Sequence, residues 1–402
     1  MYGRNEEGQV LVSTYHDLLV DEGGADNSSV SKSSQTIVAS SMATAMDPKP
    51  ERERLTFIDV MRGYAILMML QGHTVNVALA EKWRDPSYPV FAVWYYMTGL
   101  TAPTFFFAAG FIFAFLMARG EEKGGQRLQK GFKRFGSLMV LGWVFHLKPP
   151  FFKSLLAGDF GVIGELFGRS HILHVIGLSL LIMILLWLFS GRKGTRFAIL
   201  TLVGGQAAFL LGPLLTAWSG DDPNWLRPVG TFLSRSHAYF PLFPWSGYAL
   251  HGAAIGVLAW EAKWYRDVKW FGLLAIIGIF MKGATGLVPE GSRAFYWRGG
   301  EVLILLGLVG SLCLFFQKKN WEQLWPVQMV AKCGQETLTI FCLHIIVLYG
   351  AWFGIGLAQF HSKALGPWQT VGTALLVEIG FIALALNLPK LRKGVPPLRL
   401  LR

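Results

Sequence analysis

In the stretch FIDVMRGYAILMMLQGH, residues 57–73, three side chains able to do chemistry interrupt an otherwise apolar run: Asp59, Arg62 and His73. Asp59 and Arg62 are three residues apart, so on a helix they share a face and can pair. Arg62 and His73 are eleven residues apart. At ~100° per residue that is three turns plus about 20°, which puts all three on one stripe about 20 Å long. A neutral imidazole is the side chain best matched to accept a proton near pH 7, which makes His73 a candidate general base or nucleophile. The plainer reading is a structural ion pair near one interface and a histidine that bridges helices by a hydrogen bond. Gly63, beside Arg62, leaves room for another helix or a ligand to approach the backbone.

Other groups could take part. In the topology set out below, His73, His146, His171, His174, His237 and His361 fall at or near the outer side, while His251 and His344 are mid-helix and His16 lies near the N-terminus. That convergence favours proton chemistry there, although His171 and His174 could simply mark the start of a helix. No carboxylate or cysteine cluster joins that pair, so no metal is expected. Arg119, Lys123, Arg127, Lys130, Lys133 and Arg134 surround GEEKGGQ, a glycine-containing turn that could hold phosphates or merely obey the positive-inside rule. Lys282 lies well inside an apolar run, although a long stem can snorkel. Arg298 and Glu301 are spaced to pair with each other, and Arg235 is a further outer candidate. Glu336 and His344 sit near the inner end and the midplane of GQETLTIFCLHIIVLYG.

The elements that must position these groups follow from composition. The chain has 402 residues, 52% hydrophobic and 15% charged, with 30 Phe and 15 Trp. A soluble domain carries about a quarter charged residues, so the expectation is an all-α integral membrane protein. Stretches long enough to cross a hydrocarbon core fall near 55–79, 92–118, 133–147, 171–190, 196–218, 238–260, 270–288, 299–316, 335–357 and 367–388. Segments assigned to the inner side hold 23 Lys and Arg and outer loops hold ten, which predicts a ten-span bundle with both termini cytoplasmic. The net charge of +12 is read in the same way, with no nucleic-acid partner expected. Residues 1–50 are Ser-rich without apolar period and read either as a disordered tail or as a start placed too far upstream of Met46. Residues 51–390 form the membrane domain and 391–402 a basic tail. Cys313, Cys333 and Cys342 read as small core hydrophobes.

RLTFIDVMRGYAILMMLQGH resembles the opening helix of the heparan-α-glucosaminide N-acetyltransferase catalytic-domain family. TAPTFFFAAGFIFAF followed by RLQKGFKRF, then ILHVIGLSLL, FPLFPWSGYALHGAAIG and GQETLTIFCLHIIVLYG, resemble its later segments in the same order, covering about residues 52–388. The first helix is also similar to that of the broader integral membrane acyltransferases that O-acylate cell-envelope glycans. The resemblance implies a cell-membrane acyltransferase that binds acetyl-CoA as donor substrate from the cytoplasm. It would pass the acetyl group to a sugar amine or hydroxyl of a glycan or glycolipid on the other face. His73 matches the polar position that ends the family's first-helix motif. Some members carry Asn there and a catalytic His in the following loop; here no His lies between His73 and His146.

On that reading Arg62, Arg127, Lys130, Arg134 and Lys282 bind the acyl-CoA. His73 acts directly or becomes transiently acetylated, and Asp59, Asn76, His174 or His344 orient the groups. The competing reading is a transporter in which Asp59, Arg62, Lys282 and Glu378 form an ion path; the inverted repeats expected of one are not evident in the sequence. A third is a glycan-binding scaffold without chemistry. The acceptor, the acyl length and whether the chain forms a homo-oligomer are left open.

Overall fold

The computed structural model describes residues 55–120, 124–167, 170–218, 232 and 240–394. The expected tails at 1–50 and beyond 394, and Lys123, Arg235 and His237, lie outside them. Among the described residues the structure is all-helical, and the only extended pairing is an isolated bridge between Leu79 and Leu365. The helices are α1 (Thr56–Ala78), α2 (Pro89–Thr98), α3 (Thr101–Ala118), α4 (Gly124–Val144), α5 (Pro149–Leu156), α6 (Gly161–Phe167), α7 (Ile172–Phe189) and α8 (Gly194–Trp218). They continue with α9 (Leu242–Ala262), α10 (Val268–Gly283), α11 (Glu290–Lys318), α12 (Trp325–Gln335), α13 (Thr337–Tyr349), α14 (Leu357–His361) and α15 (Pro367–Gly394).

The ten sequence-predicted stretches overlap helices, 92–118 running across both α2 and α3 and 238–260 starting outside the described residues. Among the described residues six segments qualify as membrane spans by length and apolarity, or seven if α12 and α13, bent by 78° at Glu336, count as one. α1, α4 and α9 do not pass because their polar residues lower the mean hydropathy: Asp59, Arg62 and His73 on α1, four basic residues on α4, and Pro244, His251 and Glu261 on α9. The outer helices present apolar side chains outward, including Ile276, Ile279 and Phe280 on α10 and Leu375, Leu376 and Ile379 on α15. Exposure on this scale fits a hydrocarbon surround and would make a large sticky patch in water.

Lipid gives helices no hydrophobic reason to associate, so close backbone packing has to hold the bundle. The α3–α9 crossing shows how. A Cβ on Gly252 or Gly256 would run into the carbonyls of Phe107 and Phe111, and one on Gly110 into Ala249. Gly252 and Gly256 form a G-x-x-x-G pair on one face of α9, which lets the two backbones touch. α1 meets α12 in the same way, Gly63 against the Val330 carbonyl and Gly334 against that of Asp59. The room expected beside Gly63 is therefore taken by a helix. α9 also packs on α8, and α10 on α11.

Replacing Gly252 with Val forces α3 and α9 apart. We expect a loss of about 1–3 kcal/mol, read as a lower thermal midpoint in detergent, while Gly272→Val on α10, where a Cβ meets open space, leaves the midpoint near that of the parent.

Candidate active site

α1 carries the polar stripe past its neighbours, and the local geometry keeps it inward. Arg62 lies 3.7 Å from Asp59 and donates through Nη2 to Thr337 Oγ1 at 2.6 Å. Asp59 Oδ2 accepts from Gln335 Nε2 at 3.1 Å. The bend between α12 and α13 thus delivers two polar partners to α1, and a bidentate pair fixes the bend itself: Arg392 donates to both Glu336 oxygens at 2.9 and 2.7 Å.

Beside this stripe lies a cavity of about 1690 Å³, larger than the roughly 300–1,000 Å³ of ordinary small-ligand sites. Arg62, Arg127, Lys130 and Arg134 line one end, and Asn76, Arg84, Lys148 and Gln359 line the other. Arg127, Lys130, Gly131, Arg134 and Leu138 all line it at helical spacings of three and four, so one face of α4 turns its basic side chains into the cavity. Between the ends the wall is apolar, with Met69, Phe105, Phe113, Leu138, Leu180 and Phe341. Arg62 and His73 both line it, about 16 Å apart along the axis of α1.

At His73, Nδ1 lies 2.7 Å from the Tyr349 hydroxyl, and the ring centroid is 5.0 Å from that of His344. The Asn76 side chain also faces the Tyr349 hydroxyl. Asn76 Oδ1 is taken by Arg84 Nη1 at 3.0 Å, leaving its amide N–H as the group that can donate to the tyrosine. Arg84 also donates to the carbonyls of Val75, Asn76 and Leu79; that of Val75 also accepts from the Leu79 N–H, while those of Asn76 and Leu79 are acceptors that the end of α1 would leave open. Beyond the helix, Lys363 donates to Glu81 at 2.6 Å. That hydrogen bond holds the exposed Glu81 carboxyl below its usual range. His344 is buried, and its Nδ1 makes no well-formed hydrogen bond.

The structure brings Arg62, Arg127, Lys130, Arg134, His73, Asn76 and His344 to one cavity. It sets three other sequence candidates apart. Asp59 faces Gln335 and acts on the cavity through Arg62. His174 lies behind the wall as a structural histidine. Its Nδ1 accepts from the His171 backbone at 3.1 Å and its Nε2 lies 3.1 Å from the Met139 carbonyl, an arrangement that caps α7. Lys282 belongs elsewhere: Glu301 holds it at 3.0 Å, and it does not line the cavity. Its place among the acyl-CoA ligands draws no support from the cavity, since it pairs with a carboxylate that sequence spacing could not reveal. The expected pairing of Arg298 with Glu301 is present at 2.8 Å.

Of the other histidines, His146 and His171 line the cavity. His251 is engaged separately, with Gln206 and the Gly247 carbonyl. Tyr349 and Arg84 are the site residues that sequence reasoning missed. Tyr349 ends a quoted segment, but a tyrosine there is equally well explained as an interfacial residue. Among the described residues no group of three His, Cys, Asp or Glu is placed to hold a metal ion. The three cysteines are buried and free, as expected.

Arg84→Met leaves the Asn76 and Leu79 carbonyls and the Asn76 side-chain oxygen without this donor. A stability loss of about 1–3 kcal/mol is expected, seen as a fall in thermal midpoint, and an unchanged midpoint would show that Arg84 does not anchor this end of the site.

A family model described as heparan-alpha-glucosaminide N-acetyltransferase, catalytic, matches residues 54–288, more than half of the chain. The matched segment holds His73, Asn76 and the basic face of α4, and ends before His344 and Tyr349. No curated protein matches the chain. With apolar helices fit to cross a bilayer and this match, the chain belongs to the heparan-alpha-glucosaminide N-acetyltransferase catalytic family and is a membrane-embedded acyltransferase.

Proposed function

We propose that the chain moves an acetyl or other short acyl group from a cytoplasmic acyl-CoA to an amine or hydroxyl of a glycan or glycolipid on the far side of the cell membrane. The observation that carries this reading is one cavity with a basic end and a histidine end. Arg62, Arg127, Lys130 and Arg134 offer the charge-assisted hydrogen bonds that phosphates need. The distance of about 16 Å from Arg62 to His73 is of the order of the extended arm between pyrophosphate and sulfur in a coenzyme A thioester. A volume of about 1690 Å³ leaves room for an acceptor beside it. The ten-span topology with both termini cytoplasmic, drawn from the Lys and Arg asymmetry, puts the basic end inside and His73 in the outer half.

In this scheme Nδ1 of His73 carries the proton and donates it to the Tyr349 oxygen. Nε2 then keeps its lone pair for the cavity and takes the proton of the acceptor N–H or O–H as that atom attacks the thioester carbonyl. The bond to sulfur breaks, and the proton passes to the leaving thiolate, releasing coenzyme A. With His73 donating to the Tyr349 oxygen, its own hydroxyl proton is free to turn towards the tetrahedral oxyanion. The same geometry serves a route through acetyl-His73. Direct transfer is preferred, because no second residue is evident that would have to relay the group.

The transporter reading draws less support. Asp59 and Arg62 pair with each other, Lys282 with Glu301, and Glu378 with Gln71 at 2.9 Å. These sit in three separate places, not in a file.

Radiolabelled acetyl-CoA added to membranes holding the parent chain, His73→Ala or Tyr349→Phe tests the proposal. Label should enter a glycan or lipid with the parent and fall by at least about 100-fold with His73→Ala and by about 100-fold with Tyr349→Phe, which removes the oxyanion donor together with the hydrogen bond that orients His73. Equal label with His73→Ala in folded protein removes the histidine from the chemistry. No label with any of them, together with no coenzyme A binding, removes the acyltransferase scheme.

A further inference from the structure

The ion cluster of Lys282, Arg298 and Glu301 lies outside the cavity, yet it reaches the helix that walls one side of it. None of the ten residues of α2 is buried, so apolar packing does little to fix this helix. What fixes it is polar and converges on Tyr96. Arg298 donates through Nη1 to the Tyr96 carbonyl at 3.1 Å and sits 4.6 Å from the Tyr96 ring centroid. The Tyr96 hydroxyl takes the Lys282 ammonium and the Trp297 indole N–H, each at 3.3 Å. Lys282 stands 4.0 Å over the Trp297 ring, a favourable place for a cation. Glu301, only 6% exposed, holds both cations, at 3.0 and 2.8 Å. The guanidinium also covers Gly99, at the break between α2 and α3, where a Cβ would collide with it.

The other flank of α2 belongs to the cavity. Phe91, Trp94, Tyr95 and Thr98 line it, and their spacing of three, four and seven residues makes one helical stripe. Tyr96 is turned about 100° from Tyr95. The cluster therefore grips one flank while the cavity lies against the other, and three charges on α10 and α11 set where that wall stands relative to His73.

We propose that Lys282, Glu301 and Arg298 form a latch on α2. The latch holds the helix as the side wall of the cavity's His73 half. When its grip loosens, α2 swings at the Gly99 break and gives a membrane-borne acceptor a sideways entry. The three are positioning residues and touch no substrate. The acceptor clause rests on the acyltransferase reading; the latch does not.

The test is thiol labelling at Thr98→Cys in the full chain in proteoliposomes, using a membrane-impermeant trimethylammonium methanethiosulfonate. The chain's own cysteines are buried, and a chain without Thr98→Cys gives the background. Added Glu301→Gln, or Tyr96→Phe, which removes a single oxygen, should each speed labelling about fivefold, while Glu301→Asp, which keeps the charge, should restore the parent rate. Labelling at the parent rate in both Glu301→Gln and Tyr96→Phe overturns the latch. Coenzyme A affinity is measured on the same preparations and should stay at the parent value. If the parent chain binds no coenzyme A, the acyltransferase reading fails while the labelling rates still decide the latch.

Discussion

A charged group in hydrocarbon costs at least a few kcal/mol unless it is paired or faces a cavity, and α1 carries Asp59, Arg62 and His73 through the membrane region. Much of the architecture answers that cost. Gly63 and Gly334 let α12 dock on α1 backbone to backbone, which brings Gln335 and Thr337 to Asp59 and Arg62. The bend that places them is pinned by Glu336 and Arg392. The face of α1 that α12 leaves uncovered opens on the cavity, and there the guanidinium and the imidazole meet space a polar ligand can fill.

A cavity with unlike ends suits a reaction whose two substrates differ in charge. A donor with several phosphates is retained where Arg62 and the basic face of α4 converge. An apolar waist separates that end from His73, which limits water around a reactive thioester. At the far end Tyr349 holds His73 and Arg84 holds Asn76, whose side chain faces Tyr349, so the end of α1 and the imidazole are positioned side by side.

Much of this was legible in the sequence because the cost of polar groups in lipid is itself a signal. Arg62 and His73 stood out on an apolar helix at a spacing that put them on one face, and both line the cavity. Lys282 gave the same signal and means something different, since Glu301 lies nineteen residues on in another helix and no local pattern announces the pair. The basic residues of α4 were ambiguous for another reason: positive-inside loops and phosphate sites draw on the same side chains. Only the direction of the helix face, set by packing against α7, separates them. His171 and His174 carried the spacing of a helix start, and His174 has that role. Tyr349 could not be picked out, because its importance depends on α13 returning across α1. The spans were read from apolar length, which fails where polar residues point inward. α1, α4 and α9 therefore sit on predicted stretches without passing a test of apolarity.

The central claim is that one cavity holds the donor's phosphates at Arg62 and its acyl group at His73. The most direct measurement is an electron cryo-microscopy structure in lipid nanodiscs with a non-hydrolysable acetyl-CoA analogue. The expected map shows phosphates against Arg62, Arg127, Lys130 and Arg134, with the acetyl carbonyl within hydrogen-bond reach of His73 and Tyr349. An analogue bound elsewhere, or a cavity without it at saturating concentration, would contradict the claim.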